Sequence, residues 1–195
     1  MKEKSELRPS LRSAALRLDA AEQAAASAHA RSLLRRQPVW SAARAVLFYA
    51  PIAGEIDLTP LIQEALAAGR AVALPGFVPA AGVYAAFAVS DLARDCAPGK
   101  FGIREPRPSC APIALNRLDL ALVPGLGFDP FGQRLGRGAG FYDRLLAGVD
   151  GTKCGVAFDA QIVARLPAET HDIRMNVILT PTRWLAVSQS VPAQP

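Results

Sequence analysis

The sequence predicts a three-layer α/β/α domain built on a mainly parallel sheet, and three observations predict it. Apolar runs and helical stretches alternate along the chain, the pattern of helices packed on such a sheet. Ala45 to Tyr49 (AVLFY), Thr59 to Ala68 and Ala71 to Leu74 (AVAL) read as strand, helix and strand. Three such elements within about 30 residues make a βαβ unit, which implies parallel pairing. Further on, the apolar run LDLALV (Leu118 to Val123) passes through a loop rich in Gly, Pro and Asp into GRGAGFYDRLL, where Tyr142, Leu145 and Leu146 recur at helical spacing.

Composition sets the outer bounds. The 195 residues suit one domain spanning 1–195, with 188–195 as a loose tail. A hydrophobic fraction of 51% supplies a full core and argues against disorder. No apolar run has the length of a membrane span, and the N-terminus lacks the apolar stretch of a secretory signal. Its Arg, Ser and Ala content echoes a transit peptide, but Glu3, Glu6, Asp19 and Glu22 oppose that reading. Cys96, Cys110 and Cys154 are scattered without metal-ligand spacing, so reduced thiols in a cytoplasm are expected. The net charge of +5, carried mostly by arginine, raises nucleic acid as a partner. With 7% aromatic residues and no basic run interleaved with them, small polyanions account for it better.

Each remaining element has its own signal. Lys4 and Arg8 are four apart and share a face on a helix, although Pro9 disfavours helix at Arg8. Ser10 to Arg36 is rich in Ala and Leu and forms one long helix or two, ended at Gln37-Pro38. His29 within it is read as structural. Gly69 stops the helix of the βαβ unit. Val83 to Val89 reads as a hairpin or edge strand, and Asp91 to Arg107 as loop. Lys153 to Phe158 reads as a strand, Gln161 to Leu166 as a short helix, and Trp184 to Val187 as a last strand.

The segment from Val123 to Leu146 carries the chemistry. Strand, glycine-rich loop and helix start is a layout that turns backbone N–H groups toward an anion. Gly136, Gly138 and Gly140 alternate with Arg137 and Ala139, and Arg134 and Arg137 add guanidiniums suited to phosphate. The pattern is neither a P-loop, since no Gly-Lys-Ser/Thr occurs, nor the dinucleotide fingerprint, since the third glycine comes too early. A flexible surface loop is the plain alternative. Asp143 has one too, as a first-turn acid favoured by the helix dipole. Asp129 and Gly132 read as loop-shaping residues. Glu55 lies at the carboxyl end of the first strand, where ligands gather in open α/β sheets.

PGLGFD, followed by G.RLGRG.G.YDR.L, resembles the signature of the 5-formyltetrahydrofolate cyclo-ligase family. The K..LR element of Lys4 to Arg8, Glu55-Ile56-Asp57, Leu74-Pro75, FGIREP (Phe101 to Pro106) and LPAETHDIRMNVILT (Leu166 to Thr180) agree in order, so the resemblance covers nearly the whole chain. It departs at Gly76, where the family often has a basic residue, and at Asn176, where the family has a second Asp.

The resemblance implies a Rossmann-like, CoA-transferase-like fold and an ATP- and Mg²⁺-dependent closure of 5-formyltetrahydrofolate to 5,10-methenyltetrahydrofolate. ATP would be met by Lys4, Arg8, Arg134, Leu135, Gly136, Arg137, Gly138, Ala139, Gly140, Phe141 and Tyr142, with Arg137 catalytic. The folate would be met by Glu55, Phe101, Arg137 and Phe141. Phe101 also has a plain reading as a core anchor of its loop. Magnesium would be held by Asp143 and, weakly, by Asn176. The implied partners are small molecules, with no nucleic acid and no membrane, and a monomer is expected. A paralogue that binds folate or nucleotide without turnover is the second reading, motivated by Asn176. An RNA-binding protein, suggested by charge alone, is the third.

Overall fold

A capped helix opens the structure: α1 (Lys4–Ala15) begins at Glu3, whose N–H donates to the Glu6 carboxylate at 3.3 Å. The computed structural model describes residues 3–99 and 102–187. Helix α1 runs through Pro9, against the expectation at Arg8. Tertiary contacts outweigh the lost hydrogen bond. Leu11 and Ala15 are buried, and Lys4 and Arg8 are each tied to the glycine-rich region or its neighbours.

The Ala-rich stretch then breaks in two, because Asp19 caps α2 (Ala20–Arg35) with a reciprocal pair of bonds to Glu22 at 2.8 and 2.9 Å. A short α3 (Pro38–Ala42) follows, then β1 (Ala45–Leu47), α4 (Thr59–Ala67), β2 (Ala71–Val78) and β3 (Val83–Val89). The stretch expected as loop holds α5 (Leu92–Asp95) and a small hairpin, β4 (Cys96–Pro98) with β5 (Arg104–Pro106). Phe101 lies outside the described residues, as does the tail from 188 to 195. Next come β6 (Leu120–Pro124), the hairpin of β7 (Gly127–Phe128) and β8 (Arg134–Leu135), α6 (Phe141–Leu146), β9 (Thr152–Val156), β10 (Val177–Leu179) and β11 (Trp184–Ala186).

Among the described residues, seven strands form one sheet in the order β11-β10-β9-β6-β1-β2-β3. The four inner pairings are parallel, and β11 and β3 pair antiparallel at the two edges. The sheet is thus mainly parallel, with the expected edge strand at β3. Alternate strand residues face opposite ways. Val46, Val72, Leu120, Leu122 and Val156 pack with Leu34, Trp40, Leu61 and Ile62 from α2, α3 and α4. Leu47, Ala73, Ala121 and Val123 pack with Leu145 and Leu146 of α6. This second covering layer is thinner, since α6 has six residues.

Two local expectations give way. Gln161 to Leu166 is not a helix: only Asp159–Gln161 makes a 3₁₀ turn. The following N–H groups are spent on the β7–β8 hairpin instead, Val163 on the Phe128 carbonyl (2.9 Å) and Leu166 on Asp129 (2.8 Å). Val177–Leu179, to which the sequence reading assigned no strand, is β10, completely apolar and buried on both faces.

Strand β1 is the switch point of the sheet. The chain leaves it for β2 on one side and later returns as β6 on the other. In open α/β sheets the crevice at such a point, outside the carboxyl ends of the strands, is where ligands bind.

Candidate active site

A cleft of about 1300 Å³ opens at that crevice. Tyr49 beyond β1, Pro124 and Gly125 at the end of β6, and the loop from Arg134 to Gly140 form its floor and one wall. Helix α1 supplies another wall through Lys4, Arg8 and Arg12. The cleft therefore gathers residues from both ends of the sequence.

Asp129 makes the glycine-rich region rigid from below. It is fully buried and accepts bonds from the N–H groups of Phe131 (2.9 Å), Gln133 (3.0 Å) and Leu166 (2.8 Å). Its loop-shaping role is thus met in the structure. Above it the loop bends through Gly138 at φ +108°, a conformation open to few other residues. Gly136 is small for another reason. A Cβ there would come within 2.8 Å of the Arg134 guanidinium, so the residue makes room for an arginine.

Cations and carboxylates meet in pairs across the cleft. Lys4 Nζ lies 2.7 Å from Asp172 Oδ2 and 3.4 Å from Glu169 Oε1. Arg134 Nη2 donates to both oxygens of Asp143 at 3.0 Å. Arg137 Nη2 donates to Glu55 Oε1 at 3.2 Å. Arg8 instead donates through Nε to the Gly136 carbonyl, also at 3.2 Å. The two loop arginines differ in kind. The Arg134 side chain is 4% exposed, its Nε is buried with no partner among the described residues, and its guanidinium lies 5.5 Å from the Tyr142 ring centre. The Arg137 side chain is 44% exposed. Arg134 thus holds Asp143 in place, while Arg137 reaches into open space.

Burial shapes the ionisable groups. It pushes the Glu55 carboxyl above the usual carboxylate range, against the opposing pull of the Arg137 charge and the Ile52 N–H. The Tyr49 and Tyr142 phenols are raised by burial first and by the Glu55 charge second, which keeps both as neutral donors.

Phe141 lies 5.0 Å from the Tyr84 ring and 6.0 Å from the Phe77 ring in edge-on contacts. Glu105 fixes this cluster, accepting from Tyr84 Oη and the Phe77 N–H at 2.9 Å each. Tyr84 and Glu105 line the cleft without standing among the expected site residues: edge strand β3 carries no motif, and Glu105, although inside FGIREP, has no signal of its own that marks it. Leu135, by contrast, buries its side chain with Leu11, Leu126 and Leu166.

Asn176, expected to hold metal weakly, is placed away from the cleft. It stands just before β10, at the amino end of the parallel sheet, opposite the cleft. Its Oδ1 accepts from the Lys153 N–H at 2.8 Å, and its own N–H donates to the Lys153 carbonyl at 2.8 Å. An amide serves that purpose without charge, so this departure from the family pattern gives no sign of lost metal chemistry.

Asp143 and Asp172 both face the cleft. The Ile173 N–H donates to Asp143 at 3.4 Å and brings the two segments side by side. Glu169, His171 and Asp172 also place ligand atoms within 4.8 Å of one another. Magnesium takes one or two protein carboxylates together with substrate phosphates. Asp143 and Asp172 keep acceptor positions beyond their cation partners, so the donor set fits that ion. His171-Asp172 stood in the sequence motif, but no property of the residues alone assigned them a role.

The fold is α/β, and the cleft at the carboxyl ends of its parallel strands gathers paired cations and carboxylates. The pattern of the 5-formyltetrahydrofolate cyclo-ligase family matches residues 1–181, and the chain belongs to that family. It is 34% identical over 145 residues to the 5-formyltetrahydrofolate cyclo-ligase of Escherichia coli K12, covering 72% of this chain and 80% of that one. Its identity to the Mycolicibacterium smegmatis enzyme of the same name is 36% over 151 residues, covering 73% and 76%. The NMR structure of Aquifex aeolicus 5,10-methenyltetrahydrofolate synthetase superposes with a TM-score of 0.85 at 33% identity, covering 98% and 96% of the two chains. Among the described residues, no helix is long and apolar enough to cross a membrane.

Proposed function

We propose that the cleft converts 5-formyltetrahydrofolate to 5,10-methenyltetrahydrofolate while ATP becomes ADP and phosphate. One observation carries the reading: the family's glycine-arginine loop lies across the same opening as Glu55, with Lys4 and Arg8 of α1 on the facing wall. Phosphate-binding and folate-binding candidates thereby border one space.

The chemistry needs no side-chain nucleophile. The formyl oxygen attacks the γ-phosphorus, the bond to the ADP oxygen breaks, and an iminium phosphate results. The second folate nitrogen adds to the activated carbon and loses its proton, and the carbon–oxygen bond breaks with its electron pair leaving on phosphate. Such transfers depend on positioning and charge neutralisation. Arg137, Arg8 and Lys4 meet the phosphates, and Arg137 follows the γ-phosphoryl group through the transfer. Glu55 accepts from the paired N–H donors of the pterin, and Phe141 and Tyr84 border its ring. Asp143 and Asp172 would hold Mg²⁺, which when bound neutralises phosphate charge. Arg134 keeps Asp143 oriented.

The test is direct. Incubation of the purified protein with 5-formyltetrahydrofolate, ATP and Mg²⁺ should produce the near-ultraviolet absorbance of the methenyl product, and omission of ATP should abolish it. No absorbance change with folded protein would overturn the proposal.

A further inference from the structure

We infer that Glu55 has a second task besides meeting the folate: it positions Arg137 in the empty enzyme, so that the nucleotide and folate sites compete for one ion pair and are coupled through it. This rests on the cyclo-ligase reading above. The geometry points to Arg137 as the partner that moves. Glu55 is 11% exposed at its side chain and anchored by the Ile52 N–H at 3.3 Å, whereas Arg137 is 44% exposed and flanked by Gly136 and Gly138. The other two pairs differ. Arg134 is buried against Tyr142, and Lys4 is only 14% exposed with Asp172 at 9%.

Charge accounting gives the direction of coupling. A phosphate offered to Arg137 has to draw the guanidinium away from Glu55. A pterin offered to Glu55 has to displace the same guanidinium from the other side. Once the triphosphate holds Arg137, Glu55 is a buried carboxylate without its counter-charge, and the pterin N–H groups restore what it lost. Each ligand therefore removes an obstacle to the other, and the coupling is positive and reciprocal.

The experiment measures binding, not turnover. Affinity for a non-hydrolysable ATP analogue with Mg²⁺ is determined by calorimetry on wild type, Glu55→Gln, Arg137→Ala and the double variant. Removing the Glu55 charge frees Arg137, so Glu55→Gln should bind the analogue about fivefold more tightly, the scale of an exposed ion pair. In the Arg137→Ala background the same change should have no effect, which separates loss of the pair from a general loss of negative charge. In wild type, saturating analogue should tighten 5-formyltetrahydrofolate binding by a similar factor. If Glu55→Gln leaves analogue affinity unchanged, or strengthens it equally without Arg137, the shared-pair inference is overturned. Absence of coupling in wild type would overturn it even if the Gln variant misfolds. Wild type that binds neither ligand would refute the cyclo-ligase reading itself.

Discussion

The two ends of the parallel sheet use polar side chains in opposite ways. At the amino end they close on the sheet's own backbone. Asp119 accepts from the N–H groups of Arg44 and Ala45 at 2.8 Å each, and Asn176 accepts from Lys153 at the same distance. At the carboxyl end Lys4–Asp172, Arg134–Asp143 and Arg137–Glu55 pair with one another across open space. A backbone N–H is fixed by the fold and has no substitute partner, so a side chain whose bonds all go to such groups, as those of Asp119 and Asn176 do here, is structural. A side chain paired with another across a cleft can be exchanged for a ligand of like charge. The difference separates architecture from chemistry without reference to residue type.

Substitutions at the two ends should break apart along this line. The largest effect is expected at Arg137→Ala. Turnover in the methenyl-folate assay should fall by roughly 10²–10³-fold, as when a preorganised transition-state donor is lost, while the melting temperature stays near wild type because the side chain is 44% exposed. Near-normal turnover would remove Arg137 from the catalytic site.

Asp143→Asn should affect both chemistry and stability. The Mg²⁺ concentration for half-maximal rate should rise by roughly tenfold or more, and urea unfolding should show a loss of about 1–3 kcal/mol from leaving the buried Arg134 charge without its counter-ion. An unchanged Mg²⁺ titration would separate Asp143 from the metal.

At the amino end, Asp119→Ala should cost roughly 1–2 kcal/mol by urea unfolding, the scale of a lost cap. The folded fraction should keep its turnover per molecule, so a specific loss of rate would blur the contrast between the ends. The smallest effect is expected for Asn176→Asp. Its Mg²⁺ dependence should match wild type, and its stability should change by about 0.5 kcal/mol or less, as at an ordinary surface site. A lowered Mg²⁺ requirement would place this position at the metal after all.

Legibility followed the range of the physical signal. The βαβ unit and edge strand β3 were readable because strand and helix periodicity is local. Helix α1 was harder, since the penalty at Pro9 is local, whereas the compensating contacts of Lys4 and Arg8 reach the far end of the chain. The stretch after Gln161 misled for the same reason: its N–H groups go to a hairpin formed more than 30 residues earlier.

The sequence by itself determined the alternation of strands and helices, the glycine-arginine loop and the family to which the chain belongs, because period and motif are written along one line. Only the tertiary structure decided which charges face one another. It set Arg137 against Glu55, buried Arg134 behind Asp143, and placed Asn176 at the wrong end of the sheet for metal. Those outcomes depend on strand direction and on contacts between distant segments, and spacing along a chain encodes neither.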